Sequence, residues 1–259
     1  MDLRLDKKVV IVTGGAKGIG EAVCVTLAEE GAIPVIVDKD SRAGVLLQKT
    51  IGGKSIFVEA DLISSDACST AVKKIADQLG TIHGIVNNAG INDGVGLEKG
   101  TPEKFIGSMV SNSGHYYFIV HAALSHLKKN KGAIVNVSSK TAVTGQGNTS
   151  GYVAAKGAIL SLTREWAVEL SKYGIRVNAV VPAEVWTPMY ESWINTFEDP
   201  NARLSEITRR IPLENRMTTA QEIADAIVFL LSSRASHITG QWIHVDGGYV
   251  HLDRALDTK

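Results

Sequence analysis

The run Val9-Val10-Ile11-Val12-Thr13, followed at once by Gly14-Gly15, constrains this chain more than any other segment. Such a run is too short for a buried helix, and it does not alternate apolar with polar, so it predicts a strand covered on both faces. Ile19, Ala22, Val23, Leu27 and Ala28 then fall on one helical face, and Gly31 ends it. A buried strand feeding a helix through a glycine turn is the opening of a parallel β-α-β unit. The pattern repeats: strands are predicted at 33–38, 55–60, 82–87, 133–138, 175–181 and 241–245, and helices around 66–79, 102–129, 152–172 and 220–232.

This alternation predicts an α/β fold, a doubly wound parallel sheet of the Rossmann type, in a single domain over residues 1–259. The weakest pattern lies in residues 184–215, which hold Pro188, Pro200 and Pro212 together with Trp186, Trp193 and Phe197. A long irregular segment inside a compact domain is usually functional, and a substrate lid is the expectation here.

Composition excludes several classes. The 27 Lys and Arg are balanced by 27 Asp and Glu, so no net field draws the chain to nucleic acid or to an anionic membrane. Two cysteines, Cys24 and Cys68, cannot build a disulfide framework, and no Cys/His spacing suggests a metal site. His115, His121 and His126 lack the i, i+4 spacing of a metal pair and read as core or interface residues, a pocket-facing His115 being the alternative. No apolar run approaches the roughly 18 residues of a membrane span. The start, Met1-Asp2-Leu3-Arg4-Leu5-Asp6, is too charged for a signal peptide, and a cytoplasmic location is expected.

Thr13-Gly14-Gly15-Ala16-Lys17-Gly18-Ile19-Gly20 joins the first strand to the first helix. Glycines there permit a tight turn and let backbone approach a pyrophosphate seated on the helix N-terminus. The spacing of Gly14, Gly18 and Gly20 is not G-x-G-x-x-G, and a glycine turn alone also arises from packing. Asp38, ending the second strand eighteen residues after Gly20, adds the carboxylate that would accept bonds from an adenosine ribose. That carboxylate would repel a 2′-phosphate and favours NAD over NADP; Lys17 and Lys39 pull the other way but sit where lysines are usually solvated.

Ser138-Ser139 ends a strand, and Tyr152-Val153-Ala154-Ala155-Lys156 opens the next helix, with Tyr152 and Lys156 on one face. A phenol of pKa about 10 is a poor base at neutral pH, and a neighbouring ammonium favours its phenolate. By itself a Tyr-x-x-x-Lys pair is as ordinary as any surface pair.

Taken together, the glycine turn, Asn87-Asn88-Ala89-Gly90, Ser139 thirteen residues before Tyr152, and Lys156 resemble the short-chain dehydrogenase/reductase family over residues 8–248. The resemblance implies that Ser139 holds the substrate oxygen, Tyr152 is the general acid/base, Lys156 binds the nicotinamide ribose and depresses the tyrosine pKa, and Asn112 holds a water of the proton relay. Two registers compete for that last role. Matching Gly114 to the family's glycine selects Ser111, whereas matching the apolar run 117–124 without a gap selects Asn112, the preferred reading. The resemblance also implies cofactor contacts from Gly14, Lys17, Gly18, Ile19, Gly20, Asp38, Asp61, Leu62, Asn88, Ala89, Gly90, Tyr152, Lys156, Pro182, Val185 and Thr187, and a homotetramer or homodimer. The family's usual Pro-Gly is replaced by Pro182-Ala183-Glu184.

Further stretches, Gly90-Ile91-Asn92-Asp93-Gly94, residues 139–152, Thr196-Phe197-Glu198-Asp199-Pro200 and the tail 245–256, resemble bacterial sugar dehydrogenases of the L-fucose type. The expected substrate is therefore a small polar molecule, a sugar oxidised at its C1 hydroxyl to the lactone. Ser139, Lys140, Gln146, Tyr152, Glu184 and Trp186 are the candidate substrate residues, offering polar groups beside an aromatic face. The rivals are oxidation of another secondary alcohol of steroid type, reduction of a 3-oxoacyl group, or a nucleotide sensor without catalysis.

Overall fold

The computed structural model describes residues 1–53 and 55–252. Its elements in chain order begin with β1 (Val9–Thr13), α1 (Gly18–Glu29), β2 (Ile33–Asp38), α2 (Ser41–Ile51), β3 (Ile56–Glu59), α3 (Ser65–Leu79) and β4 (Gly84–Asn87). There follow α4 (Pro102–Met109), a π-helical turn (Val110–Gly114), α5 (His115–Asn130), β5 (Ala133–Val137), α6 (Thr141–Thr144), α7 (Ser150–Ser171) and β6 (Arg176–Pro182). The last part holds β7 (Val185–Trp186), α8 (Pro188–Ile194), α9 (Pro200–Thr208), β8 (Thr218–Thr219), α10 (Ala220–Leu231) and β9 (Trp242–Val245).

Among the described residues the main sheet has seven strands in the order β3-β2-β1-β4-β5-β6-β9, each pair parallel. Alternate residues of β1 serve opposite faces. Val9 and Ile11 join the layer under α3, α5 and α7, while Val10 and Val12 join the layer under α1 and α10. Both layers are closed, which is why the strands read as continuous apolar runs. One polar thread crosses the buried middle: Asn87 Nδ2 donates to Asn136 Oδ1 at 2.9 Å, and Asn136 Nδ2 donates to Thr163 Oγ1 of α7 at 3.0 Å. The strand order reverses between β1 and β4, and in open α/β sheets ligands bind at the carboxyl ends of the strands beside that point.

Three features depart from the sequence reading. Helix α2, N-capped by Asp40, which accepts from Ala43 N–H at 3.0 Å, has no counterpart in it. Its periodicity is interrupted by Gly44, whose missing Cβ leaves room for the Phe57 ring. Residues 184–215 are not irregular: Thr187 caps α8, Asp199 caps α9, and a short parallel ribbon pairs Val185 with Thr218. Pro188 and Pro200 stand at helix N-termini, where a missing N–H costs nothing, and so they start elements rather than break them, while Pro212 lies in the turn that follows α9. The long helix over 102–129 contains the π-helical turn. The tail residues 253–256 of the sequence resemblance lie outside the described residues.

Candidate active site

Every predicted cofactor residue lies in or beside the loops at the carboxyl edge of the sheet. After β1 the chain turns through Gly14, at φ 61°, and a Cβ there would meet Ala89 Cα at 2.9 Å. A Cβ on Gly20 would meet the Gly14 carbonyl at 2.1 Å, so α1 can start where it does only with glycine. The neighbouring loop holds this turn in shape: Asn88 Nδ2 donates to the carbonyls of Thr13 and Gly14, both at 3.1 Å. Gly18 faces Thr187 across the cleft, and Ile19 is half-buried at the start of α1. Asp61 and Leu62 follow β3, and Pro182 and Val185 are buried at the β6 end.

Asp38 sits at the end of β2, where its carboxylate accepts from the N–H groups of Ala16 at 3.1 Å and Asp40 at 3.0 Å. Lys17 is ion-paired with Asp40 at 2.5 Å. That pairing raises the lysine pKa and lowers the aspartate's. The lysine that pulled toward NADP in the sequence is thus already committed to a carboxylate.

Ser139, Tyr152, Lys156 and Asn112 converge beside this cleft. Lys156 is buried, and its Nζ donates to the Val137 carbonyl at 2.8 Å and to the Tyr116 hydroxyl at 3.1 Å. Burial depresses its pKa to about 7. Burial likewise raises the Tyr152 phenol, while its hydrogen bond with Ser139 pulls the other way. Ser139 Oγ also accepts from Thr141 N–H at 3.2 Å and Thr141 Oγ1 at 3.0 Å, which orients it.

Asn112 is fully buried in the π-helical turn, where Oδ1 accepts from Ile91 N–H at 2.8 Å and Nδ2 donates to the Ser108 carbonyl at 3.0 Å. A Cβ on Gly90 would lie 3.0 Å from Asn112 Oδ1 and 3.4 Å from Lys156 Nζ, so the three groups are neighbours. Ser111 instead bonds back to the Ser108 carbonyl at 3.1 Å.

His115, read from sequence as a core or interface residue, is 1% exposed. Its ring leans on Tyr116 at 4.6 Å, neither nitrogen makes a well-formed hydrogen bond, and burial with the Lys156 charge lowers its pKa to about 3. His121 stacks on Tyr117 at 5.5 Å. Among the described residues no group of His, Cys, Asp and Glu gathers as a metal site.

At the mouth the structure redraws the polar wall. Lys140 and Glu184, read from sequence as facing across the pocket, are ion-paired with each other and largely buried. Gln146 is exposed on the loop before α7. Trp186 is 39% exposed and begins a chain of ring contacts through Tyr190 and Trp193 to Phe197. Tyr190 and Tyr249 were not singled out from sequence. Tyr249 comes from the segment after β9, and Lys140 Nζ lies 4.1 Å from its ring centre; no local pattern signals a contact made so far along the chain.

Known proteins share this fold and much of the sequence. A family profile described as enoyl-(acyl carrier protein) reductase matches residues 14–250. L-fucose dehydrogenase of Mus musculus is 36% identical over 246 residues, which cover 95% of this chain and 89% of that protein. The crystal structure of Cj0485 dehydrogenase superposes with a TM-score of 0.96 at 45% identity, covering 100% of both chains. The ligand-free aldohexose dehydrogenase of Thermoplasma acidophilum superposes with a TM-score of 0.90 at 30% identity, covering 98% of each chain. With these likenesses spanning nearly its whole length, the chain belongs to the short-chain dehydrogenase/reductase family and is an oxidoreductase acting on alcohols.

Proposed function

We propose that the chain oxidises the C1 hydroxyl of an aldose such as L-fucose to the lactone, with NAD as oxidant. The observation that carries the reading is the convergence of Ser139, Tyr152, Lys156 and Asn112 beside a glycine turn, in a chain whose relatives are named L-fucose and aldohexose dehydrogenases.

The residues present fit a dinucleotide. The turn at Gly14 and Gly20 has no room for a Cβ, and Asp38 is held by two backbone N–H groups at the place of an adenosine ribose. Gly14, Lys17, Gly18, Ile19 and Gly20 would hold the pyrophosphate side, Asp61 and Leu62 the adenine, and Asn88, Ala89 and Gly90 the ribose side. Pro182, Val185 and Thr187 would meet the nicotinamide. When bound there, a nicotinamide would supply the hydride acceptor for the alcohol carbon. The Lys17–Asp40 pair supports NAD over NADP, because it leaves that ammonium neutralised.

Ser139 receives the substrate oxygen on a hydroxyl already oriented by Thr141. Tyr152 takes the hydroxyl proton, and the charge of Lys156 favours the phenolate that does so. Asn112 would hold a water from which the proton leaves. The chain supplies orientation and electrostatics for chemistry done by the cofactor. Gln146 and Trp186 offer a hydroxyl partner and an aromatic face to the pyranose, Lys140 and Glu184 form the polar wall behind them, and residues 184–215 act as the lid.

A second reading, oxidation of a less polar cyclic or secondary alcohol, draws on the aromatic chain Trp186, Tyr190, Trp193 and Phe197. Absorbance at the NADH band with a panel of aldoses and apolar alcohols decides between them. Turnover of apolar alcohols and no aldose sinks the sugar reading. Binding of NAD with no turnover of any alcohol sinks both.

A further inference from the structure

The Lys140–Glu184 ion pair is poorly placed for a solvated role. Its side chains are 9% and 14% exposed, and the Lys140 ammonium is also covered by the Tyr249 ring. A charge pair taken so far out of water is costly unless each partner keeps the other, so its geometry is held rather than adaptable. The pair joins three separate parts of the chain. Lys140 follows Ser139 directly, its N–H donates to the Pro182 carbonyl at 2.8 Å, and its own carbonyl, just before α6, accepts from the N–H groups of Val143 and Thr144 in that helix. Glu184 stands at the corner between β6 and β7, and its carbonyl accepts from Thr218 N–H at 3.0 Å. Val185, Trp186 and Thr187 follow it directly, leading into α8. Tyr249 is carried by a turn that Asp246 fixes, accepting from the N–H groups of Gly248 and Val250, both at 2.9 Å.

We propose that Lys140 and Glu184, braced by Tyr249, are positioning residues whose ion pair clamps the Ser139 loop to the base of the 184–215 segment and so sets where the alcohol lies relative to Tyr152. Neither touches the reacting atoms. The proposal rests on the alcohol-oxidation reading for its kinetic consequence, and on the geometry alone for its mechanical one. Displacing a reacting group by about 1 Å costs on the order of 100-fold in rate, so a loosened clamp registers in kcat.

The test compares wild type with Lys140→Met, Glu184→Gln and the charge-keeping Lys140→Arg. Turnover is measured on two aldoses that differ at hydroxyls remote from C1, and hydrogen exchange is followed at residues 139–144 and 188–194. The expected result is a fall in kcat of about 10- to 100-fold in both neutral variants, equal for the two aldoses, with NAD affinity kept and a smaller loss in Lys140→Arg. Exchange is expected to rise at both segments in each neutral variant. A loss confined to the KM of one aldose makes these residues substrate contacts and overturns the proposal. Intact kcat, or exchange raised only beside the substituted residue, overturns it too. The near-isosteric Glu184→Gln carries the test should Lys140→Met fail to fold. A wild-type protein that turns over no alcohol sinks the functional reading instead, and the exchange data then decide the clamp alone.

Discussion

The ammonium of Lys156 lies 5.6 Å from the ring centre of Tyr152, one helical turn away on α7, and its hydrogen bonds to protein go to Val137 and Tyr116. In the proposed reaction the lysine would therefore act on the phenol through space rather than through a direct hydrogen bond. Tyr116 OH in turn donates to the same Val137 carbonyl at 2.8 Å, so the lysine head is held from two sides.

Tyr152→Phe keeps the ring and removes the proton acceptor. General acid–base groups contribute about 10²- to 10⁴-fold, and a loss of kcat in that range is expected with NAD binding unchanged. NADH absorbance and a fluorescence titration read the two quantities. Turnover within a few-fold of wild type would take the proton-transfer role away from Tyr152.

Lys156 gives stability a pH dependence of definite sign. Its pKa is about 7 in the folded chain against an ordinary 10.5, so between those values the unfolded chain binds a proton that the folded chain does not. Stability then rises with pH across the window, and below pH 7 the cost of burying the cation is present in full. Lys156→Met removes that cost. Its stability relative to wild type should be greatest near pH 6 and decline by as much as about 5 kcal/mol as pH approaches 10. Urea midpoints at the two pH values check this, and a difference that stays flat with pH contradicts it.

Asn112 and Ser111 separate cleanly by substitution. Asn112→Ala takes the partner from the part-buried Ile91 N–H and one donor from the Ser108 carbonyl, which costs about 1–3 kcal/mol, and it removes the proposed relay group, for a loss in kcat of about tenfold or more. Ser111→Ala removes a bond to the Ser108 carbonyl and a long one accepted from Asn112 Nδ2 at 3.5 Å, at a half-buried position, and should leave turnover within about twofold and stability within about 1 kcal/mol. Steady-state rates with thermal melts read both, and the reverse ranking would move the relay to Ser111.

Asp38→Asn keeps the shape of the side chain and removes its charge. The ratio of kcat/KM for NADP over NAD should rise about 10- to 100-fold, because the repulsion of a 2′-phosphate is gone. An unchanged ratio would place cofactor choice elsewhere, with Lys39 and Asp40 the next positions to vary.

How much of this was legible in the sequence depended on how far each feature reaches along the chain. Strand β1 and the turn at Gly14 are local, and their pattern read correctly. The long helix over 102–129 showed its periodicity but not its π-helical turn, which adds a residue to one turn and shifts the phase of everything after it. The two registers meet inside that turn: counting back from the apolar run of α5 reaches Asn112, and counting from Gly114 reaches Ser111. Helix α2 escaped because Gly44 accommodates a ring from β3, a tertiary reason invisible in its own segment. Lys140 and Glu184 were picked out as polar residues near the pocket, but their pairing depends on how two strand ends meet in space.

The thread of Asn87, Asn136 and Thr163 has a consequence for precision at the site. Asn87 and Asn136 are register partners on β4 and β5, and Asn87 Oδ1 is left without a partner, so the amides are costly guests in an apolar sheet. Sliding one strand past the other by a residue would turn one amide to the opposite face and part the pair, a penalty no purely aliphatic pairing imposes. Asn88, Ala89 and Gly90 continue directly from β4, and Ser138 and Ser139 directly from β5. The amide pair is therefore a ruler set in the core: it fixes the register from which the two loops leave the sheet, and with it the relative starting points of the segments proposed to hold cofactor and substrate.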